Sequence, residues 1–431
     1  METPRLDPRL RLFQQADMKG KVVLLRVDHN VVNKGQINDP YRIDVTFPTL
    51  YRIAEKGGRP VLMTHIGRPK DKKTGKIKCA EGDSVQPIVR YLEQKLGIRI
   101  HVPNLPADPE KGIIQLPSIG GALNDLKDGK IGMVYLPNTR SFQGEEAKGP
   151  EREAFTSWLA GLADLFVNDA FGSWQAHAST FDVAKALPSF AGALLQKEIA
   201  QLKDVLEPHR PYLAVIAGAK YDTKIGPIKA LYEKADRLIL GGVLYNTYLS
   251  AKLGVTVDGV SKEDKDLAMD LVALDRKGEK IIPMNRLVES DVLEGRKEGK
   301  YRSVTTDELT QERQIGYLLD VDPRCLEEKN VKEAVLSAQT VFVNAVMGLM
   351  PHFFEGSQAL YRLIASNKTA KKFFGGGDTL QEFRSLCPGE YLEGLDDPQT
   401  YYFTGGGSVL TAIEQGSPYH LKPVEALMGP S

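Results

Sequence analysis

The sequence has few of the features that mark secreted, membrane or nucleic-acid-binding proteins. Its 431 residues include three cysteines, Cys79, Cys325 and Cys387, whose spacing matches no metal or redox motif, which indicates a reducing compartment. No run approaches the ~18 apolar residues of a membrane span, and the N-terminus lacks the apolar core of a signal peptide. The formal charges cancel, so the overall basic excess typical of nonspecific nucleic-acid binding is missing. We expect a cytoplasmic monomer without membrane or nucleic-acid partners.

Familiar catalytic and nucleotide-binding motifs are missing as well. No G-x-x-x-x-G-K-[ST] occurs, which excludes a P-loop enzyme, and no G-x-G-x-x-G follows a predicted strand. We also find no convincing Ser-His-Asp or Cys-His set. Any nucleotide site must therefore be built from other turns.

Length and apolar pattern predict two α/β domains of roughly 200 residues each. Short runs rich in Val, Ile and Leu alternate with longer helical patterns, which is typical of parallel strands with helical crossovers. The predicted strands are residues 22–28, 60–65, 131–136, 164–168, 212–218, 237–242, 340–345, 372–377 and 401–407.

The segment PSFAGALLQKEIAQLKDVLEP has apolar residues at helical spacing and prolines at both edges, which predicts one long connecting helix. The strongly charged stretch 286–335 has weak periodicity and is predicted to decorate the surface. The predicted organisation is a domain for an anionic substrate at 1–190, the connecting helix at 191–210, a nucleotide-binding domain at 211–410, and a C-terminal segment at 411–431 that returns toward the first domain.

Glycines follow the strands of the second half. They let a backbone approach phosphate oxygens closely, and the following helix offers free N–H groups to an anion. Each turn taken alone is compatible with an ordinary tight turn, but several such turns with two lysines and a carboxylate indicate a polyphosphate site. The residues are Gly218, Ala219, Lys220, Lys224, Gly241, Gly242, Gly375 to Gly377, Asp378, Thr379, and Gly405 to Gly407.

Polar and basic residues follow the strands of the first half. An arginine taken alone is more often a solvated surface residue, but arginines that share a place after strands suit a small, strongly anionic substrate. The residues are Asp28, Asn30, Arg42, His65, Arg68, Asn138, Arg140, Asn168 and Asp169. A nucleotide on one domain and an anion on the other imply phosphoryl transfer with domain closure. A carboxylate acceptor, with a pKa of about 4, would need no general base.

With these motifs the chain resembles the phosphoglycerate kinase family from about residue 17 to Leu427. The matching stretches are KVVLLRVDHNV, NDPYRID, LMTHIGRPK, NDAFGS, AHAS, AGAKYDTKIG, FGGGDT, TGGGS and KPVEAL. The resemblance implies two Rossmann-like three-layer domains joined by a long helix and hinge. It also implies that 3-phosphoglycerate binds to the first domain and ATP or ADP with Mg²⁺ to the second.

The resemblance also implies roles for single residues. Arg42 would stabilise the transferring phosphoryl group together with Lys220, Lys224, Gly376, Gly377, Gly405 and Gly406. Asp378 would hold the magnesium ion. The nucleotide side would include Gly218, Ala219, Gly242, Asn344 and Thr379. The phosphoglycerate would be held by Asp28, Asn30, His65, Arg68 and Arg140, with Gln175 at a further position of the same site.

The chain departs from the family pattern at several of these places. Gln175 stands where the family usually has an arginine, so the anion site has lost one charge, and Pro351 stands where the family has a ribose-binding glutamate. The family's Asn-Gly-Pro-Met-Gly is NAVMG here, and Val243 and His29 replace a glycine and a phenylalanine. Three functions stay open: a phosphoglycerate kinase with altered contacts, a related kinase for another acid or nucleotide, and a nonenzymatic binding or regulatory protein.

Overall fold

The computed structural model describes residues 6–429, which form two compact units. The first unit extends to Ala200 and also takes in the segment that begins at Pro418, and the second unit is Gln201–Ser417. Within residues 6–429, no helix is both long and apolar enough to cross a membrane.

The first unit is built on a parallel six-stranded sheet in the order β5-β6-β4-β1-β7-β8. Strands β2 and β3 form a small antiparallel pair beside it. All six residues of β1 are buried, as expected for a parallel strand covered on both faces. The strands are β1 (Val22–Val27), β2 (Val32–Asn33), β3 (Gln36–Ile37), β4 (Arg59–Met63), β5 (Ile100–His101), β6 (Met133–Tyr135), β7 (Leu165–Asp169) and β8 (Ser189–Ala191).

Helices cover the sheet, and their ends follow from the sequence. A proline opens α2, α3 and α5, where its missing N–H costs no helical hydrogen bond. Gly97, with φ of 66°, ends α3 in the left-handed conformation that glycine adopts without strain. The helices are α1 (Tyr41–Asp44), α2 (Phe47–Glu55), α3 (Gln86–Leu96), α4 (Gly120–Lys127), α5 (Pro150–Gly161), α6 (Val183–Ala186) and α7 (Ala193–Leu206).

The core of the first unit lies between the sheet and α2 and α3. Leu25 and Leu62 from neighbouring strands pack in one cluster with Ile53 and Leu92 from the two helices. Each such side chain contributes about 1.5–3 kcal/mol when it leaves water. This packing fixes the strand ends that carry the polar residues.

The second unit has a parallel five-stranded sheet in the order β10-β9-β14-β15-β16 and an antiparallel sheet in the order β12-β11-β13. The strands are β9 (Tyr212–Gly218), β10 (Arg237–Gly241), β11 (Arg286–Ser290), β12 (Tyr301–Thr305), β13 (Tyr317–Val321), β14 (Thr340–Asn344), β15 (Lys371–Gly375) and β16 (Thr400–Phe403). The helices are α8 (Ile225–Lys234), α9 (Gly242–Leu253), α10 (Lys262–Gly278), α11 (Lys329–Leu336), α12 (Glu355–Ser366), α13 (Gly377–Leu386), α14 (Pro388–Asp396) and α15 (Gly406–Gln415). The last helix, α16 (Lys422–Glu425), lies in the first unit. Two Rossmann-like units with parallel sheets are therefore confirmed.

The prediction that residues 286–335 lie on the surface is wrong for β11 and β13, in which most residues are buried, whereas β12 is mostly exposed. Glu289 in β11 is fully buried, and it pairs with Arg302 at 3.0 Å and also with Arg313. Charged residues that neutralise each other inside a sheet give no apolar signal, so the sequence pattern did not reveal these strands.

The predicted connecting helix is shorter than expected at both ends. Ser189–Ala191 is the edge strand β8, paired with β7, and the helix proper is α7, which ends two residues before Pro208. The boundary between the two units falls inside α7, and the predicted boundary at residue 410 falls inside α15.

Candidate active site

Asp28 and Arg42 form the centre of the strand-end cluster in the first unit. Asp28 directly follows β1 and is 4% exposed, and its Oδ2 lies 3.4 Å from Nη2 of Arg42 on α1. Arg42 also donates to the carbonyl of Asn30 at 3.3 Å. Gly172 packs against the pair, and a Cβ there would lie 2.1 Å from Asp28 Oδ2. Glycine at this position is therefore what lets the carboxylate and guanidinium meet.

Asn30 and Arg140 tie the loops after β1, β4 and β6 together. The side-chain oxygen of Asn30 accepts from the N–H of Gly67 at 2.9 Å, and Arg140 Nη1 donates to the carbonyl of Gly67 at 2.6 Å. Arg140 Nε lies 2.9 Å from Glu146 Oε1. Asn138 joins this region by accepting from the N–H of Arg140 at 3.1 Å.

His65 contacts Arg26, a residue that the sequence analysis did not predict as part of the site. Its Nδ1 is 3.1 Å from Nη2 of Arg26, which belongs to β1 and is 1% exposed. Burial, reinforced by nearby arginines, holds the pKa of His65 well below its usual range. A charged residue inside the otherwise apolar run VVLLRV was the signal that could have identified Arg26.

Arg68 and Gln175 are exposed and stand apart from this bonded cluster. Arg68 follows β4, and its side chain makes no hydrogen bond or ion pair with any other part of residues 6–429. Gln175 follows β7, and its carbonyl accepts from Thr180 Oγ1 at 2.7 Å while its side chain faces outward. Because β4 and β7 flank β1, the two side chains follow strands on either side of Asp28.

The second unit contains a cavity of about 900 Å³ at the carboxyl ends of its parallel strands. Four predicted residues do not line it: Lys220, Gly241, Gly375 and Gly405. Gly405 caps α15 directly before the cavity wall at Gly406. The predicted residues that do line it are Gly218, Ala219, Lys224, Gly242, Asn344, Gly376, Gly377, Asp378, Thr379, Gly406 and Gly407.

Three helices start at glycines on this wall: α9 at Gly242, α13 at Gly377 and α15 at Gly406. Their first N–H groups have no partner within the helix and favour an anion. Gly376 has a φ of 112°. A Cβ on Gly406 would lie 2.6 Å from the Cα of Gly376. The two glycine turns thus touch, and the wall is backbone where phosphate oxygens would have to approach closely.

Lys224 supplies a fixed positive charge to the same wall. Its Nζ donates to Asn344 Oδ1 at 2.9 Å, and Asn344 Nδ2 donates to the carbonyl of Gly375 at 2.5 Å. Burial lowers the pKa of Lys224 to about 8, while the charge of Asp378 acts in the opposite direction. Lys220, by contrast, is exposed, and its ammonium group has no partner in the described part of the chain.

Asp378 is the wall carboxylate that fits a magnesium ion. It is exposed in the first turn of α13, beside the glycine turns. Within residues 6–429, no group of three or more His, Cys, Asp or Glu side chains could hold a metal ion by itself. Mg²⁺ that accompanies a nucleotide needs one or two carboxylates, because phosphate oxygens and waters supply the rest. A single aspartate therefore suits Mg²⁺ that arrives with a polyphosphate.

The cavity is also lined by apolar side chains, including Val243, Leu293 and Leu319. Met350 lies in the wall, but Pro351 does not. Glu382 is a second carboxyl of the wall, and burial raises its pKa to about 7.

His29, which stands where the family has a phenylalanine, is accommodated in the core by hydrogen bonds. His29 is fully buried, with Nδ1 3.0 Å from the Tyr135 hydroxyl and Nε2 3.1 Å from Thr46 Oγ1. Burial lowers the pKa of His29 to about 3, so the ring is neutral. Its bonds go to neighbouring side chains of the core.

An arginine-rich strand edge in one Rossmann-like unit and a glycine-walled cavity in the other are the features expected of a phosphotransferase for a small anionic acceptor. The family model described as phosphoglycerate kinase matches residues 13–416. The phosphoglycerate kinase of Rubrobacter xylanophilus is 34% identical over 413 residues, which cover 94% of this chain and 95% of the relative. That of Synechococcus sp. strain JA-2-3B'a(2-13) is 36% identical over 413 residues, or 92% and 93% of the two chains.

Solved structures agree with these relatives. The phosphoglycerate kinase from Coxiella burnetii has a TM-score of 0.71 at 26% identity, and the alignment covers 97% of this chain and 98% of that one. The enzyme from Pyrococcus horikoshii OT3, at 22% identity and a TM-score of 0.75 over the same shares, supports the fold. The chain belongs to the phosphoglycerate kinase family. It is an ATP-dependent phosphotransferase with a carboxylate acceptor.

Proposed function

We propose that this chain transfers a phosphoryl group reversibly between ATP and the carboxylate of 3-phosphoglycerate, with Mg²⁺ bound to the nucleotide. The carboxylate is ionised at neutral pH and attacks without a general base. Catalysis then consists of positioning and of stabilising the charge that develops during transfer.

One observation carries the choice of acceptor: Asp28 has two differently engaged oxygens. Its Oδ2 pairs with Arg42, whereas its Oδ1 is buried without a hydrogen-bond partner among the described residues. A buried acceptor of this kind favours a ligand that brings a donor. A 2-hydroxy acid supplies both groups, since its carboxylate suits Arg42 and its hydroxyl can donate to Asp28.

We assign roles to the other site residues from their positions in the two units. Asn30, His65, Arg68, Arg140 and Gln175 would hold the phosphoglycerate at the strand edge, where Arg140 and Asn30 are already fixed. Arg42 would stabilise the moving phosphoryl group. Its partners on the nucleotide side would be Lys220, Lys224, Gly376, Gly377, Gly405 and Gly406.

In the cavity, Gly218, Ala219, Gly242, Asn344 and Thr379 would contact the nucleotide, and Asp378 would hold the metal ion. Magnesium would supply charge neutralisation between the phosphate oxygens. Three free cysteines, two of them buried, support a reducing compartment such as the cytoplasm, where the chain would act on small molecules as a monomer.

A direct test compares acceptors and nucleotides. The purified chain is given Mg-ATP with 3-phosphoglycerate or with 3-hydroxypropionate 3-phosphate, which lacks only the 2-hydroxyl, and the acyl phosphate is trapped with hydroxylamine. We expect turnover with 3-phosphoglycerate and a loss of roughly a hundredfold or more in kcat/KM with the deoxy acid. Equal rates with the two acids would show that Asp28 does not recognise the 2-hydroxyl of the acceptor. A higher kcat/KM for another acid in a wider panel would show that 3-phosphoglycerate is not the preferred acceptor.

A further inference from the structure

A buried chain of hydrogen bonds runs from His65 through Arg26 in β1 and Ser179 to Glu145. Arg26 Nη2 meets His65 Nδ1 at 3.1 Å, Arg26 Nε donates to Ser179 Oγ at 3.0 Å, and Nη1 donates to the carbonyl of Val27. Arg26 is 1% exposed, so the guanidinium is enclosed by the protein. A guanidinium has five N–H donors and no acceptor.

The partner atoms of Arg26 are held in turn. Ser179 Oγ donates to Glu145 Oε1 at 2.5 Å, and the N–H of Ser179 donates to Glu145 Oε2 at 3.0 Å. Glu145 is 1% exposed. Because the hydroxyl hydrogen of Ser179 is directed to Glu145, the oxygen of Ser179 is left to accept from Arg26. The guanidinium therefore has one orientation, with Nη2 directed at His65.

This geometry decides which nitrogen of His65 carries hydrogen. Arg26 only donates, so Nδ1 must accept and cannot hold a proton. The Ser173 hydroxyl also contacts Nδ1, at 3.4 Å. Nε2 makes no hydrogen bond with residues 6–429, which leaves its N–H available to a ligand.

We propose that Arg26 is a positioning residue that fixes His65 as the neutral tautomer with hydrogen on Nε2, so that His65 serves the acceptor site only as an uncharged donor. The charges that act on His65 come from several elements: Arg26, Arg140, Arg42 and His177 all oppose its protonation. Burial lowers the pKa of Arg26, and the negative charges of Glu145 and Asp28 act in the opposite direction.

The consequence concerns how the acceptor is bound. A neutral N–H donor can reach a carboxylate, hydroxyl or phosphate oxygen, but it adds no charge to the site. All net attraction for the acid then comes from arginines, whose charge does not change near neutral pH. The contribution of His65 is thus constant across the range in which an ordinary histidine titrates. This use of His65 depends on the proposed acceptor, whereas the tautomer itself does not.

The tautomer can be measured on the free protein by ¹⁵N NMR of histidine-labelled chain. We expect a pyridine-type shift for Nδ1 and a pyrrole-type shift for Nε2 of His65, unchanged from pH 8 down to about pH 5. A pyrrole-type Nδ1, or a ring that becomes doubly protonated in this range, overturns the proposal. The measurement needs no activity, so a failure of the proposed function would not be mistaken for a failure here.

Variants test whether Arg26 is the cause. In Arg26→Gln the amide can donate or accept, so we expect a mixed tautomer and a KM for 3-phosphoglycerate that becomes pH-dependent, with kcat changed less. The matched control is Arg11→Gln, since Arg11 donates only to the carbonyls of Ala426 and Leu427. An unchanged His65 spectrum in folded Arg26→Gln would contradict the role of Arg26. If that variant does not fold, Arg26→Met, which removes the donor to His65 Nδ1 while keeping a long side chain, is read in the same way.

Discussion

Lys224 and Asn344 are joined by a hydrogen bond of 2.9 Å between the ammonium group and the side-chain amide oxygen. Lys224 precedes α8 and Asn344 ends β14, so the bond connects the loops after two neighbouring strands. The amide also donates to the carbonyl of Gly375 at the end of the next strand, β15. The cavity therefore has its charge in place before a nucleotide binds, which is the preorganisation that transition-state stabilisation requires.

Lys224 should make nucleotide binding pH-dependent. Its pKa of about 8 means that the charged form is fully present below that pH and is lost as the pH rises through it. Phosphate favours the charged form, so the Kd for Mg-ADP should rise by up to about tenfold per pH unit above 8. Calorimetry should show proton uptake on binding at pH 9.

The control for this prediction is Lys229→Met on α8, where the lysine pairs with Asp270 on the surface. It should keep the pH dependence, and Lys224→Met should lose it. A slope that survives in Lys224→Met would assign the titration to another group.

Arg42→Ala should affect turnover far more than binding. The charge that Arg42 meets develops as the phosphoryl group moves, so kcat should fall roughly a hundredfold or more with little change in nucleotide affinity. Steady-state kinetics and a nucleotide titration measure the two quantities. Arg52→Ala, an exposed arginine paired with Glu55 on α2, controls for the loss of charge. A kcat near that of the unchanged chain would remove Arg42 from the mechanism.

Gln175→Arg should lower the KM for 3-phosphoglycerate by roughly tenfold or more. The exposed side chain has room for the change, and a charge-assisted bond to phosphate exceeds a neutral one by about 1–3 kcal/mol. The effect on kcat should be smaller, and the KM should depend more steeply on salt. The control is Gln115→Arg, which adds the same charge at another exposed position of the same unit and should leave the KM for 3-phosphoglycerate nearly unchanged. Weaker binding of 3-phosphoglycerate would show that the turn serves a different acid.

Discrimination of the ribose should be poor. Pro351 has no side-chain acceptor and lies outside the cavity wall, so removal of a hydroxyl leaves no buried group unpaired there. The Kd values for ADP and 2′-deoxy-ADP should then lie within about tenfold of each other. A much larger preference for the ribose form would assign the role to another wall group, such as the carboxyl of Asp258 or Glu382.

The strands that carry the site were predictable because each is a continuous apolar run ended by glycine or polar residues. β9 matches its predicted span of 212–218, and β1 and β14 each end one residue earlier than predicted. The edge strands β5 and β8 were not predicted, because two or three residues are too few to show a period.

The site was predictable where chemistry shows in the sequence beside a strand end. Asp28, Arg42 and Lys224 were found in this way. The link from Arg26 through Ser179 to Glu145 was not, because it joins residues more than a hundred positions apart. Hydrogen-bond partners of that kind are set by tertiary packing, and one sequence carries no signal for them.

The most direct test of phosphoglycerate kinase activity is ³¹P NMR of the purified chain with Mg-ATP, 3-phosphoglycerate and hydroxylamine, which converts the unfavourable acyl phosphate to its hydroxamate and releases inorganic phosphate. We predict that the resonances of ADP and inorganic phosphate grow together, and that neither grows when 3-phosphoglycerate is omitted. ADP that forms equally fast without 3-phosphoglycerate, or a spectrum that stays unchanged at high enzyme concentration, would contradict the assignment of this chain as a phosphoglycerate kinase.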